Sequence, residues 1–376
     1  MISKKMNKKK VVLGLSGGVD STAAALLLQE KGYQVTGLYF DIFSEEESKS
    51  EDGRKAAELA AKELGIKFVY RNVSSLFRDK VIGNFCSEYA RGRTPNPCIV
   101  CNPEVKFKIL ADTADEEGAA YIATGHYADT YYHEESGTWY IRRAANRKKD
   151  QSYMLYRLSQ NIISRLLLPL NGTENKEEVR NIARKKSLNN AEARDSQEIC
   201  FIGDGDDYRA FLARNGYEAV KGDFVDKEGR VLGQHRGIYS YTIGQRKGLG
   251  IALGKPAFVT RIDGERNQVV LGENDDLFKR EIVSSHNVIM GAEIKAAAGN
   301  SNESKNFSFS ELPAMGKEDG ITAKIRYAAK DCPVCVKRLE DGRLLTVFEE
   351  PQRAATPGQS IVFYKGELVI GGGFIE

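Results

Sequence analysis

Residues 11–28 read VVLGLSGGVDSTAAALLL, a β-branched apolar run followed by a glycine-rich turn and an apolar helical stretch. The apolar run is typical of a strand buried in a parallel sheet. In the turn, SGGVDS at 16–21, two glycines let the backbone approach an anion closely, and hydroxyl groups stand at the start of the predicted helix. A Walker loop would need a closing lysine, which this turn lacks. The stretch therefore predicts a different kind of phosphate-binding loop at the end of the first strand.

Strand-like and helix-like stretches alternate over about the first 130 residues. Further strands are predicted at 34–40, 67–72 and 121–124, and helices at 22–31, 53–65 and 108–117. This alternation predicts an α/β fold with a doubly wound parallel sheet, which binds ligands at the carboxyl ends of its strands. The next part is more helical, with helices predicted at 152–163 and 176–186.

The sequence pattern changes near residue 204, where short strand-like pieces separated by glycines replace helical periodicity. Such pieces lie at 222–225, 231–232 and 238–242. From about residue 269 the pieces are clearly strands, at 268–271, 322–326, 344–348, 360–364 and 368–371. Evenly spaced strands predict a small closed β-barrel, and the polar stretch 296–319 is expected to be a mobile loop inside it. We therefore expect a catalytic domain at 1–204, a small linking domain at 205–275 and a β-barrel at 276–376.

The composition excludes several classes of protein. With 41% hydrophobic and 28% charged residues among 376, the chain has the balance of a globular protein, not of a disordered one. No apolar run approaches the ~18–20 residues needed to span a bilayer, so no membrane partner is expected. The basic residues 1–10 are followed by too short an apolar run for a secretory signal, which predicts a cytoplasmic protein.

Two cysteine motifs follow the phosphate loop. The first, GRTPNPCIVCN at 92–102, contains two prolines, which we expect to prevent a helix and to hold a rigid loop that presents a thiol. The second, DSQEICFIG at 195–203, places Cys200 at the end of an apolar run. Six cysteines in a cytoplasmic chain of this length do not form a disulfide scaffold, so their spacing indicates metal, cluster or redox chemistry.

Together these motifs resemble those of the tRNA-specific 2-thiouridylases of the MnmA type, within the PP-loop ATP pyrophosphatases. Supporting strings are ATGHYA at 123–128, KDQS at 149–152, TIGQRKG at 242–248 and KIRY at 324–327. The resemblance thus covers nearly the whole chain. It implies an ATP-dependent transferase that replaces the 2-oxygen of the wobble uridine of tRNA with sulfur.

The resemblance also implies roles for particular residues. Cys200 would carry a persulfide, and Cys101 would be the nucleophile that pairs with it in a disulfide. ATP, with Mg²⁺ held by Asp20, would be bound by Gly14, Leu15, Ser16, Gly17, Gly18, Val19, Asp20, Ser21, Phe40 and Gly125. The tRNA would be contacted by Asn96, Pro97, Cys98, Lys149, Asp150, Gln151, Arg326 and Tyr327. The implied partners are tRNA, ATP and a sulfur donor protein, such as a sulfur relay protein or a cysteine desulfurase.

One residue departs from the family pattern, in which the position of Cys98 is often an aspartate. Cys98, Cys101 and Cys200 could therefore hold an iron–sulfur cluster whose free iron binds sulfide. The persulfide route remains the preferred prediction because it needs only the two cysteines that match the family.

Two rival functions fit these motifs less well. A different PP-loop ligase, such as an argininosuccinate synthase, needs no paired catalytic cysteines. A non-catalytic RNA-binding protein has no need for an intact SGGVDS.

Cys332 and Cys335 could contribute to a zinc site, but alternating strand positions explain them more simply. Cys86 is expected to be buried in a helix.

Basic residues are clustered although the net charge is only +3. The clusters are Arg142, Arg143, Arg147, Lys148 and Lys149; Arg180, Arg184, Lys185 and Lys186; and Arg236, Arg246 and Lys247. Such clusters predict local phosphate-binding patches.

Overall fold

The structure is a computed structural model that describes residues 6–43, 49–185, 199–203, 206–290 and 320–376. The predicted loop at 296–319 and the start of the second cysteine motif, 195–198, lie outside the described residues. No helix in the described ranges combines the length and the apolar character that a membrane crossing requires.

The strands are β1 (Asn7–Gly14), β2 (Gln34–Asp41), β3 (Lys67–Asn72), β4 (Ala119–Ala123), β5 (Asp129–His133), β6 (Thr138–Arg142), β7 (Leu166–Leu167), β8 (Gly222–Val225), β9 (Val231–His235), β10 (Phe258–Asp263), β11 (Gln268–Gly272), β12 (Phe278–Ile289), β13 (Ile321–Lys324), β14 (Cys332–Arg338), β15 (Leu344–Arg353), β16 (Ser360–Lys365) and β17 (Leu368–Ile375). The α-helices are α1 (Val19–Glu30), α2 (Lys49–Leu64), α3 (Ser74–Phe77), α4 (Gly83–Ala90), α5 (Pro97–Cys101), α6 (Phe107–Glu117), α7 (Gln160–Ile163), α8 (Lys176–Lys185) and α9 (Tyr208–Arg214). Two π-helical turns, Arg78–Ile82 and Asn102–Lys106, join α3 to α4 and α5 to α6.

The predicted doubly wound sheet is confirmed as a five-stranded parallel sheet in the order β3-β2-β1-β4-β7. Successive side chains of β1 point to opposite faces. Val11 and Leu13 pack with the apolar residues of α1, whereas Val12 packs with Phe107 and Leu110 of α6. Burial on both faces explains why β1 contains a continuous apolar run. Because the SGGVDS turn follows β1, it lies at the carboxyl edge of the sheet.

The prediction that prolines exclude a helix at 92–102 is wrong. Pro97 is the first residue of α5, where the missing N–H has no intrahelical partner to lose. The Asn96 side chain caps this helix by accepting a 3.2 Å hydrogen bond from the backbone N–H of Cys98. The chain then continues through the π-turn and α6 to Gly118, whose φ of 65° ends the helix.

Two other predicted elements also differ from the structure. Instead of one helix at 152–163, a 3₁₀ turn (Ser152–Leu155) and the short α7 are present. The Asp150 carboxylate accepts from both the N–H and the hydroxyl of Ser152, which favours a local turn over a long helix. The piece at 238–242 starts as a 3₁₀ turn after Gly237, whose φ is 113°, and not as a strand.

The predicted closed barrel is confirmed for the C-terminal strands. Six antiparallel strands follow one another as β12-β15-β14-β13-β16-β17, and β12 pairs with β17 to close the ring. The predicted strand at 268–271 is not part of it, because β11 belongs to a separate four-stranded sheet, β10-β11-β8-β9. The β5–β6 hairpin, which the sequence did not predict, pairs through β6 with Leu368 and Val369 at the start of β17.

The barrel shares one hydrophobic core with the parallel-sheet region. The hydroxyl of buried Tyr153 donates a 2.7 Å hydrogen bond to the carbonyl oxygen of Ser360, and Tyr156 lies 3.1 Å from the Ser360 hydroxyl. The Arg143 guanidinium lies 3.6 Å from the ring centre of Tyr364 and 2.7 Å from Asp331. These contacts hold the barrel against the segment that follows β6.

We expect Tyr153→Phe to lower the free energy of unfolding by about 1–3 kcal/mol, because the Ser360 carbonyl would lose a buried donor. Urea unfolding midpoints measure the change. The matched control is Tyr132→Phe, at a side chain that is 44% exposed, which should shift stability by less than about 0.5 kcal/mol. Equal shifts in both variants would contradict the prediction.

Candidate functional site

The SGGVDS turn forms an open helix N-terminus at the end of β1. Gly18 is the N-cap of α1, and no side chain caps the helix there. The hydroxyls of Ser21 and Thr22 each donate a 3.0 Å hydrogen bond to the Gly18 carbonyl, and the Ser16 and Ser21 hydroxyls lie 3.2 Å apart. The uncapped N–H groups of the first turn, with these hydroxyls beside them, form a helix N-terminus of the kind that binds the phosphate groups of a nucleotide.

Glycines bring neighbouring elements close to this loop. Gly17 has a φ of 80°, and a Cβ there would lie 2.8 Å from the carbonyl carbon of Ala56, so only glycine fits. A Cβ at Gly125 would lie 3.1 Å from the Ser21 backbone nitrogen, which shows how tightly the end of β4 packs on the loop. The Phe40 ring lies at the carboxyl end of β2, 3.4 Å from an ideal Cβ of Gly14. The structure thus places the predicted nucleotide-binding residues side by side.

Asp20 is held by a residue that the sequence analysis did not single out. The Tyr127 hydroxyl donates a 2.7 Å hydrogen bond to Oδ1 of Asp20. The side-chain oxygen of Gln151 in turn accepts a 2.9 Å hydrogen bond from the backbone N–H of Tyr127. The phosphate loop is therefore linked to the KDQS segment by consecutive hydrogen bonds.

The candidate sulfur-transfer residues lie around the continuous helical segment formed by α5, the second π-turn and α6. Cys98 is exposed, Cys101 is buried, and Cys200 is exposed just before Phe201. The Phe201 ring packs among Phe77, Phe85 and Phe211, which anchors the chain beside Cys200. Lys106 completes the group, because its ammonium interacts electrostatically with all three thiols.

Lys106 reaches the thiols because of the π-turn. In a regular α-helix, residues five positions apart point in different directions, whereas the i→i+5 hydrogen bonds of a π-turn bring them together. Burial disfavours the ammonium of Lys106, but interaction with the three thiols outweighs burial and raises its pKa. No sequence pattern signals this residue, since the extra residue in the turn is visible only in the structure.

Burial controls the thiols themselves. Burial raises the pKa of the Cys101 thiol to about 12, although the Lys106 ammonium opposes the shift. Burial also raises the pKa of the Cys200 thiol: protein atoms crowd the sulfur although the residue is accessible. Near neutral pH both thiols are therefore protonated in this conformation, so the nucleophilic thiolate needs a further change around them.

His126 connects the three cysteines to the phosphate loop. It follows Gly125, and its Nδ1 lies 2.8 Å from the Thr124 hydroxyl. Burial, helped by the Lys106 ammonium, lowers the pKa of His126 to about 3. The imidazole is therefore neutral and can bind a substrate only through neutral hydrogen bonds or stacking.

All six cysteines are free thiols in the structure. Among the described residues, no three His, Cys, Asp or Glu side chains converge closely enough to hold a metal ion. Cys332 and Cys335 lie on β14, where Cys332 is buried and Cys335 is exposed, as strand alternation predicts. Cys86 is buried in α4, and burial raises the pKa of its thiol to about 11.

The residues predicted to contact tRNA lie in very different environments. Asp150 is buried, and its carboxylate accepts from the N–H groups of Ala144 and Ser152. The hydrogen bonds of this buried carboxylate therefore fix the conformation of the KDQS segment. Arg326 is exposed and donates to the carbonyl oxygen of Arg353, whereas Tyr327 is half-buried against Tyr153.

The remaining predicted contacts and several of the basic residues already have partners within the chain. Asn96 also approaches the Met154 sulfur at 3.5 Å, and Pro97 is buried. In the basic clusters, Arg142, Arg147 and Arg184 form ion pairs with Asp129, Glu367 and Glu177. These pairs reduce the positive charge available to a phosphate backbone.

Three family models match consecutive parts of the chain. The tRNA methyl transferase HUP domain matches residues 9–204, the tRNA methyl transferase PRC-barrel domain matches 209–273, and the aminomethyltransferase beta-barrel domain matches 303–375. A parallel sheet with an SGGVDS loop, followed by two β-domains, defines a PP-loop enzyme of the HUP class.

Similar proteins specify the class further. The chain is 44% identical to the tRNA-specific 2-thiouridylase MnmA 2 of Caldanaerobacter subterraneus subsp. tengcongensis, over 98% of both chains. It is 45% identical to MnmA of Carboxydothermus hydrogenoformans, over 99% of this chain and 98% of the other. The chain therefore belongs to the MnmA family of tRNA-specific 2-thiouridylases. Among solved structures, the U34-tRNA thiolase NcsA of Methanococcus maripaludis, with its 4Fe-4S cluster, aligns at 22% identity and a TM-score of 0.33 over 57% of this chain and 66% of its own, too distantly to carry an argument.

We expect iodoacetamide to alkylate Cys98 well before Cys101 near neutral pH, because Cys98 is exposed and the buried Cys101 is protonated. The rate at Cys101 should rise as the pH approaches about 12. Timed alkylation followed by peptide mass spectrometry measures both rates. Buried Cys86 serves as a slow internal reference, and a Cys101 rate equal to that of Cys98 would contradict the described burial.

Proposed function

We propose that this protein uses ATP to convert the 2-oxygen of the wobble uridine of tRNA to sulfur. One observation carries the proposal: a continuous set of neighbours joins the phosphate loop to the cysteines. Gly125 packs on the loop, His126 follows it, and His126 and Cys101 both interact with the Lys106 ammonium. A uridine between these groups would be within reach of both the α-phosphate and a thiol.

The first step would be adenylation. A uridine carbonyl is a poor electrophile, so its 2-oxygen must become part of a leaving group. The 2-oxygen attacks the α-phosphorus of ATP, the bond to the β-phosphate breaks, and pyrophosphate leaves. The open N-terminus of α1 and the hydroxyls of Ser16, Ser21 and Thr22 would hold the pyrophosphate. Asp20 would hold Mg²⁺, which neutralises phosphate charge when it is bound.

The second step would transfer sulfur. A sulfur donor protein would load Cys200 as a persulfide. Its terminal sulfur attacks C2 of the adenylated base, and AMP leaves with the former 2-oxygen. The Cys101 thiolate then attacks the Cys200 sulfur, the sulfur–sulfur bond to the base breaks, and 2-thiouridine is released. The resulting Cys101–Cys200 disulfide needs two electrons from a cellular thiol reductant before the next cycle.

This route requires a conformational change. A disulfide needs the two Cα atoms about 4.4–6.8 Å apart, and a thiolate needs a lower pKa than burial gives Cys101 in this conformation. Both cysteines are free thiols in this conformation, so substrate binding would have to bring their sulfur atoms into bonding contact. Lys106 lies where it would stabilise the thiolate that then forms.

We expect Asp20→Ala to reduce tRNA-dependent pyrophosphate release from ATP by about 100- to 1000-fold, the range seen when a group that stabilises the transition state is removed. Asp112→Ala is the matched control, since Asp112 is exposed on α6 and pairs only with Lys108 among the described ion pairs. Pyrophosphate release is measured with ATP and unmodified tRNA. Unchanged release in Asp20→Ala would refute the assignment of the phosphate loop.

The alternative is an iron–sulfur cluster held by Cys98, Cys101 and Cys200. The observation in its favour is that Cys98 supplies a third thiol at the same lysine. The described residues do not converge as a metal site in this conformation, so this route also requires the thiols to move closer together.

Replacement of Cys98 by aspartate separates the two sulfur routes. We expect Cys98→Asp to retain single-turnover thiolation when a cysteine desulfurase supplied with cysteine loads Cys200 as a persulfide, and to show no visible chromophore, because the persulfide route needs only Cys101 and Cys200. A carboxylate is a poorer iron ligand than a thiolate, so joint loss of chromophore and activity would instead support the cluster. The control is Cys335→Ser, at an exposed cysteine of the barrel.

A further inference from the structure

The Tyr127–Asp20 hydrogen bond joins residues that are 107 positions apart in the chain. Asp20 lies in the first turn of α1 and within the phosphate-binding loop SGGVDS at 16–21. Tyr127 is only 3% exposed, and its ring packs in the apolar cluster that also contains Val19 and Ala23. A buried, rigid ring that donates to one carboxylate oxygen restricts the rotamers which the carboxylate can adopt.

The position of Tyr127 is itself fixed by one residue. Gln151 accepts from the Tyr127 N–H through its side-chain oxygen at 2.9 Å, and its own N–H donates to the Tyr127 carbonyl at 2.7 Å. Both polar groups of the Tyr127 backbone are therefore bonded to Gln151. A shift of Gln151 would move the Tyr127 hydroxyl relative to Asp20.

Gln151 belongs to a segment that contacts the barrel on its other side. The neighbouring Asp150 carboxylate binds the N–H groups of Ala144 and Ser152, which makes the turn rigid. Arg143, just before this turn, contacts Asp331 and Tyr364 of the barrel. The segment therefore forms a continuous rigid connection from the barrel to Asp20.

We propose that Tyr127 is a positioning residue, which holds the Asp20 carboxylate in the orientation that binds Mg²⁺ on ATP, and that Gln151 fixes Tyr127 in turn. The inference rests on the proposed function, in which Asp20 serves Mg²⁺ and ATP. It adds that the geometry of the metal-binding carboxylate is set by the segment predicted to contact tRNA.

Binding of a non-hydrolysable ATP analogue, measured by calorimetry, tests the inference without any activity assay. Tyr127→Phe keeps the buried ring and removes only the hydroxyl. We expect it to bind the analogue roughly tenfold more weakly in the presence of Mg²⁺, the size expected for a lost hydrogen bond to a charged group. Without Mg²⁺ the carboxylate has no cation to hold, so wild type and variant should bind the metal-free analogue equally.

Two further variants distinguish positioning from general destabilisation. Tyr121→Phe, on the preceding strand β4 and in the same apolar cluster as Tyr127, should change neither affinity. Gln151→Leu removes the side-chain acceptor of Tyr127 and should reproduce part of the Mg²⁺-dependent loss.

The outcomes can be told apart. An unchanged affinity in Tyr127→Phe, or an equal loss with and without Mg²⁺, would overturn the positioning role. Failure of the wild type to bind the analogue at all would instead refute the proposed function.

Discussion

The π-helical turn Asn102–Lys106 is the constraint on which the arrangement of the thiols depends. Before the turn, Ile99 and Cys101 are buried; after it, Phe107 and Leu110 pack on β1 and β4. An α-helix rotates by about 100° per residue, so removing the extra residue would turn α6 off the sheet or turn Cys101 away from the site. The π-turn lets Cys101 face the site while α6 still packs on the sheet, and it brings Lys106 to the thiols.

Within the described part of the chain, the positive charge of Lys106 lies among thiols and not beside a carboxylate that favours it. The neighbours that favour the ammonium of Lys106 are three cysteines, Cys98, Cys101 and Cys200. A buried cation is stabilised by a partner of opposite charge. In this chain the neighbouring partners are thiols, so an opposite charge arises beside Lys106 only when one of them ionises.

Local chemistry made part of the fold predictable. SGGVDS follows an apolar strand and opens a helix, so its position could be inferred from neighbouring residues alone. Pro97 misled the prediction because proline excludes a helix interior but suits its first turn. The β5–β6 hairpin could not be found from local patterns, since its partner β17 lies near the other end of the chain.

The candidate site shows the same division between local and distant information. The motifs identify Asp20, Cys101 and Cys200 because each lies in a recognisable string. Lys106 and Tyr127 have no such signal: one depends on a change of helical register, and the other on a hydrogen bond between distant segments. Candidate reactive residues can thus be proposed from motifs, whereas contacts such as the Tyr127–Asp20 hydrogen bond emerge only when the chain is folded. Contacts of this second kind join the phosphate loop to the barrel through Tyr127, Gln151 and Arg143, so the candidate site is part of one packed structure.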